Sequence, residues 1–287
     1  MNRIRKELKK IKPLVALYRK LRNISGKKKQ TYLDLKYKLE EKDRKSVAND
    51  SSLKKLHEQL DELKVAQLQS WNSFVYCEGY YYQGYKRIGI HGIKPTEPRM
   101  ENYDIANYLS KDKTVLDIGS NAGWLACYLA EYSKEVEGIE LNPYLVKMGE
   151  ATAKFLNISN VNFIEGDFTK FEFENKYDIV FSLSNHFTID GNLNIGFESY
   201  ISKIFNVLNN GGILFFESHN IYGDDKDLDL KFEIASKYFK LVKFKMVKAF
   251  FPQDIDKLFA VFEKLDKPGS PVKTTFNLEK AQKQYHY

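Results

Sequence analysis

Only two cysteines, Cys77 and Cys127, occur among the 287 residues. Two are too few for a disulfide framework and make no metal site, so both read as buried small hydrophobes in a cytosolic setting. No unbroken apolar run reaches the length of a membrane span. The charged first residues are not followed by an apolar stretch and a small-residue cleavage site, so no secretory signal is expected. What is present is an ordinary globular composition, 43% hydrophobic, in a chain long enough for one large α/β domain and an extension.

Negative charge is scarce at one end. Residues 1–30 hold twelve Lys/Arg and the single acidic residue Glu7. The overall charge of +7 therefore belongs to this tail, because residues 31–287, with 33 basic and 37 acidic side chains, carry −4. A mildly acidic body weighs against a nucleic-acid groove across a catalytic face. Within the tail, Ile4, Leu8, Ile11, Val15 and Tyr18 recur at helical spacing among Arg3, Lys6, Lys9, Lys10, Lys12 and Arg19, and Pro13 divides the helix. Residues 1–22 thus read as a basic amphipathic element for a membrane surface or a partner; the alternative is a solvated terminus.

Residues 31–75 read as a helical extension. Leu53, Leu56, Leu60 and Leu63 alternate by three and four behind Asp50 and Ser51 as caps. The pattern suits a helical hairpin packed on the main domain, or a short homodimerisation element. An aromatic segment follows, with Trp71, Phe74, Tyr76, Tyr80, Tyr81, Tyr82 and Tyr85. Such rings either seal the open end of a core or form a stacking surface for a ligand.

From residue 114 the pattern becomes regular. Strand-like runs at 114–118, 136–140, 161–164, 177–183 and 212–217 alternate with helical stretches at 125–132, 143–156 and 200–208. This predicts an α/β domain over 76–266 with a doubly wound, mostly parallel sheet of seven strands. The last two runs, 240–250 and 258–262, have no helix between them and should pair antiparallel. Residues 267–287 are left as a C-terminal tail.

The richest segment, 115–125, reads Val-Leu-Asp-Ile-Gly-Ser-Asn-Ala-Gly-Trp-Leu. A strand ends in Asp117, and a loop with Gly119 and Gly123 leads into a helix. The third glycine of a dinucleotide fingerprint is missing. The order instead resembles the first motif of the class I S-adenosylmethionine-dependent methyltransferases, an acidic residue, any residue, then Gly-x-Gly-x-Gly. Asn121 stands in for the middle glycine, and Asn tolerates positive φ better than most residues. The closing antiparallel hairpin is also similar to that family's topology.

The resemblance implies S-adenosylmethionine as cofactor and a Rossmann-like methyltransferase fold. Asp117 and Gly119 would lie by the methionine moiety, with Ser120, Asn121, Gly123 and Ser182 as further candidate contacts. Glu140, 23 residues beyond Asp117, ends the second strand where a carboxylate can hold both ribose hydroxyls. Asp167 would meet the adenine amino group and Phe168 its ring. The Pro-Thr-Glu-x-Arg stretch of 95–99 resembles one found in bacterial methyltransferases of surface-glycan biosynthesis. That likeness makes Arg99 a candidate for the cofactor's carboxylate, with Tyr82 and Gln83 closing over it.

For a hydroxyl acceptor a base is needed. His186 is preferred narrowly over His219, with Glu217 orienting or assisting. The Asn-Pro-Pro-Tyr signature of amino-group methylation is absent: residues 182–186 read Ser-Leu-Ser-Asn-His. Asp190, Glu217 and His219 are not spaced diagnostically for a metal, so none is expected. The sequence thus points to methylation of an oxygen on a carbohydrate, lipid-linked glycan or other small hydroxyl or phosphate acceptor, in the cytoplasm or at the inner membrane face. RNA methylation through the basic tail, or a non-catalytic scaffold subunit, are the alternatives.

Overall fold

The computed structural model describes residues 33–71, 79–186, 195–222, 225–247, 250 and 257–284. The basic tail, Phe74, Tyr76, Cys77 and Asp190 lie outside this set. Helix α1 (33–46) leads through a short turn into α2 (Ser51–Ser70). Asp50 caps α2, its carboxylate accepting the Ser52 and Leu53 N–H groups at 2.9 Å each. Leu39, Leu56 and Leu60 are buried against Tyr80, Tyr81, Tyr85, Trp124 and Met148. The leucine repeat serves packing within the chain.

The aromatic segment divides by role. The hydroxyls of Tyr80, Tyr81 and Tyr85 donate to Asp43, Asp61 and Glu131 at 2.6, 2.9 and 2.7 Å, so these rings seal the core with their polar tips satisfied. Beyond them β1 (Gln83–Gly84) pairs in parallel with β2 (Lys94–Pro95), and α3 (Thr96–Tyr103) follows.

The main sheet then forms from β3 (Thr114–Ile118), β4 (Glu135–Glu140), β5 (Val161–Glu165), β6 (Tyr177–Leu183), β7 (Leu208–Glu217), β8 (Phe239–Val247) and β9 (Lys257–Lys264). Their spatial order is β5-β4-β3-β6-β7-β9-β8, parallel from β5 to β7, with β9 antiparallel to both its neighbours. Helices α4 (Trp124–Ala130), α5 (Pro143–Phe155) and α6 (Phe197–Val207) make the crossovers. The seven strands and three helices stand where alternation and periodicity place them. β7 begins four residues earlier than the expected 212.

Besides α3, two further helices lie outside the expected ones. The first, α7 (Leu228–Ala235), buries Leu228 and Phe232. The second, α8 (Leu278–Gln284), follows Phe276, whose ring meets Phe232 at 4.6 Å and Phe244 at 5.1 Å. Leu278 and Ala281 are buried in the same core, so this part of 267–287 is packed rather than a free tail. Among the described residues no helix is long and apolar enough to cross a membrane.

One packing contact constrains the loop after β3. A Cβ at Gly123 would lie 2.4 Å from the Phe163 ring, and at Gly149 2.8 Å. At Gly138 it would lie 3.1 Å from the same ring. Three backbone segments close on one side chain because none of them carries a Cβ.

Candidate functional site

A cavity opens at the carboxyl ends of the parallel strands, where an open α/β sheet binds its ligands. Its wall comes from 117–119 after β3, 139–142 after β4, 166–169 after β5 and 183–185 after β6. Arg99 of α3, Tyr200 of α6, Tyr82 and Gln83 complete it, together with Gln67 and Trp71 at the end of α2.

The loop after β3 is held by backbone and side-chain bonds. Gly119 and Ser120 donate their N–H groups to the Ile139 carbonyl at 2.9 and 3.1 Å. Gly119 has φ +65° and Asn121 φ +53°, so Asn121 does adopt the left-handed conformation its place in the motif requires. The Asn121 N–H donates to Glu140 Oε2 at 2.9 Å, and the Asn142 N–H to Oε1 at 3.0 Å. Glu140 is thereby fixed at one corner of the cavity.

Gln83 is a brace. Its amide donates to the Ser120 carbonyl and accepts the Trp124 N–H, both at 3.0 Å. The first N–H of α4 is therefore capped by the protein. Gln83 was expected to close over the cofactor; it borders the cavity, but its amide is committed to the loop. Gly123 and Ser120 are corrected as well, since neither is among the residues lining the cavity. Gly123 is needed for the approach of Phe163, and the Ser120 side chain is buried behind the loop.

Asp117 and Arg99 are both buried and both line the cavity. Asp117 is buried and its Oδ2 has no hydrogen-bond partner. Burial pushes its carboxyl up to about 7, against the opposing pull of Arg99 and with some help from Glu140. Arg99 donates through Nη2 to Glu217 Oε1 at 2.9 Å and through Nε to the Tyr103 hydroxyl at 2.6 Å. The neighbouring Glu97 instead accepts the Lys86 N–H.

Glu217 is a structural anion. Burial works against its charge, but Arg99, Lys257 and Lys94 hold it well below the ordinary carboxylate range. It also accepts hydrogen bonds from Tyr103 and from Ser184 Oγ. A carboxylate so committed is a poor proton acceptor, which corrects its expected role as an assisting base.

Asp167 and Phe168 line the cavity as expected. Partial burial raises the Asp167 carboxyl, but bonds from Thr169 and Lys170 outweigh it and keep it below its ordinary value. Phe168 packs on Tyr200 at 5.5 Å, ring to ring. Ser182 is set behind the wall. Its hydroxyl donates to Asn185 Oδ1 at 2.8 Å and lies 2.9 Å from the Tyr200 hydroxyl, so it supports Asn185 and does not line the cavity. Asn185 in turn donates to the Ile118 carbonyl, tying the ends of β3 and β6 together.

The histidines are displaced from the cavity. The His186 side chain is 1% exposed, and its Nε2 lies 2.9 Å from Asp225 Oδ1. Lys231 shares that carboxylate, and the His219 N–H donates to its other oxygen. The His186 ring is boxed by Phe216 at 4.8 Å, His219 at 5.0 Å and Phe197 at 5.7 Å. Burial, His186 and Lys257 push the His219 imidazole down to about 3. Neither lines the cavity, so the expectation of a histidine base facing an acceptor is not met among the described residues. Those residues contain no cluster of three or more metal-ligating side chains. The Cys127 thiol is pushed up to about 12 by burial.

The family model and the named curated relatives are methyltransferases. A family model described as a methyltransferase domain matches residues 109–271. A Methanocaldococcus jannaschii protein, provisionally named a protein N5-glutamine methyltransferase, is 29% identical over 153 residues, 44% of this chain and 75% of that protein. An rRNA adenine N-6-methyltransferase of Streptococcus sanguinis is 36% identical over 127 residues, 42% of this chain and 51% of that one. The match therefore spans about half of that relative's length. Among solved structures, the N-methyltransferase NodS of Bradyrhizobium japonicum, in complex with S-adenosylhomocysteine, superposes with a TM-score of 0.49 at 16% identity, covering 59% of this chain and 85% of that one.

Proposed function

The chain belongs to the methyltransferase-domain family of S-adenosylmethionine-dependent enzymes, and on that premise we propose that it methylates an oxygen of a carbohydrate or another small hydroxyl- or phosphate-bearing acceptor. The observation that carries the cofactor assignment is that buried Asp117 and buried Arg99, opposite in charge, line the same cavity. An orphaned carboxylate oxygen and a guanidinium in one cavity suit a zwitterionic amino-acid group, ammonium to Asp117 and carboxylate to Arg99. Glu140 would accept from the ribose hydroxyls. Asp167 and Phe168 would take the adenine, the ring against Phe168.

When bound, the cofactor supplies an activated methyl group on a sulfonium, so the protein's work is chiefly alignment. Ser184 and Asn185, at the end of β6, border the cavity beside Asp117 and would orient the acceptor. With the cofactor bound, these residues would hold the acceptor oxygen in line with the methyl group, and the proton of a hydroxyl acceptor would leave to solvent. An oxygen acceptor is favoured because Ser-Asn-His occupies the place of the amino-methylation signature. Calorimetry with S-adenosylmethionine, followed by labelled methyl transfer onto fractionated glycan, lipid, RNA and protein pools, tests both halves. If NAD binds and S-adenosylmethionine does not, the assignment fails.

A second reading, RNA methylation, draws on the rRNA adenine methyltransferase relatives and the twelve Lys/Arg of residues 1–30. Label in the RNA pool that disappears on removal of residues 1–30 would select it.

A further inference from the structure

The leucine repeat of α2 continues one step beyond its leucines. From Leu53, Leu56, Leu60 and Leu63 the alternation by three and four next falls on Gln67. This core-facing position therefore carries an amide where a leucine would complete the stripe. Gln67 is 6% exposed. Its side-chain amide has no hydrogen-bond partner among the described residues, although its backbone carbonyl accepts the Trp71 N–H at 2.9 Å. The amide is therefore uncommitted within the chain, and an apolar side chain of similar length there would break no internal hydrogen bond.

The amide's surroundings show what it is for. Gln67 lines the main cavity, and it borders a small side cavity with Tyr82, Asn121 and Leu145. Asn121 is the residue whose N–H holds Glu140 Oε2. Gln67 therefore shares the cavity wall with Asn121 and Glu140, the corner assigned above to the ribose. One amide offers two N–H donors and a carbonyl acceptor, the complement of a pair of hydroxyls that both donate and accept.

We infer that Gln67, delivered by the helical extension, binds the ribose hydroxyls of the cofactor together with Glu140. The inference rests on the S-adenosylmethionine reading. It makes α2 part of the binding site, with Trp71 as the adjoining piece of wall.

The test uses Gln67→Met, which keeps the length and removes the polar atoms, with Gln67→Ala as a second variant. The full-length protein is titrated calorimetrically with S-adenosylmethionine, adenosine and 2′,3′-dideoxyadenosine. The first two should bind about five- to tenfold more weakly to Gln67→Met, the range for one lost neutral hydrogen bond. Dideoxyadenosine should change by less than twofold, and the ligand-free melting temperature should not fall. Unchanged adenosine affinity in both variants would overturn the role, as would an equal loss for the dideoxy compound. Unsubstituted protein that binds neither S-adenosylmethionine nor adenosine would instead overturn the parent assignment.

Discussion

Arg99 and Glu217, 118 positions apart in the chain, form a buried ion pair with Nη2 2.9 Å from Oε1, and Tyr103 donates to the second carboxylate oxygen. The pair joins α3 to the end of β7 and holds the guanidinium at the cavity wall. Removing one partner of such a pair leaves the other charge buried and uncompensated. Glu217→Gln should therefore lower the unfolding free energy by about 3–5 kcal/mol, read from denaturant titration. Arg99→Lys keeps the charge but loses the fork. It should weaken S-adenosylmethionine binding about tenfold or more while adenosine binding, lacking the carboxylate, holds within twofold.

Asp117 predicts a pH dependence whose sign follows from its raised carboxyl, pushed up to about 7 by burial. In the folded protein this group holds a proton that the unfolded chain releases near pH 4. Its contribution to stability is present below about pH 4 and is lost as pH rises towards 7. Asp117→Asn should flatten the ligand-free stability profile across that window. Above pH 7 the variant should be the more stable, by on the order of a few kcal/mol. Cofactor affinity should rise with pH up to about 7 in the unsubstituted protein and stay weak and flat in the variant. An identical stability slope in both proteins would contradict this.

His186 sits behind the cavity, paired with Asp225. Its removal should act on stability: His186→Ala lowers the unfolding free energy by about 2–3 kcal/mol, as expected for a lost buried hydrogen bond and ring. S-adenosylmethionine affinity should remain within twofold. A large fall in affinity without loss of stability would place the ring in the binding site.

Gln83 predicts a local effect on the loop. Gln83→Leu strips the partners from the Ser120 carbonyl and the Trp124 N–H, both bonded at 3.0 Å. Hydrogen exchange at Trp124 should accelerate, with a stability loss of about 2 kcal/mol. Unchanged exchange there would mean that the brace is dispensable.

How far the chain could be read in advance depends on the range of the interactions concerned. Strands β3 to β7, the loop after β3 and the corner residue Glu140 are local patterns, and they stand where alternation and spacing place them. Arg99 could be singled out, but its partner Glu217 is brought to it by the fold alone. Gln83 offered no local sign that its amide would be used up in bracing the loop. The histidines failed for a backbone reason: Ser184 adopts φ +59°, which breaks the side-chain alternation of β6 just before His186. Inward and outward cannot be counted past such a residue. Gln67 falls on the next step of the leucine repeat, but only the fold brings that step to the cavity wall.

The convergence of Gly123, Gly138 and Gly149 on Phe163 makes these four positions interdependent. The ring excludes a Cβ at Gly123 and at Gly149, and a smaller side chain at 163 would open that space, whereas Gly138 is also closed by the Ser120 side chain at 2.9 Å. The glycine that closes the cofactor-loop motif is thus set partly by the size of a side chain on a different strand and partly by its own left-handed backbone, φ +73°. Loss of that glycine in a homologous chain, accompanied by a smaller residue at 163, would signal altered packing between β5 and α5 and need not signal a lost cofactor.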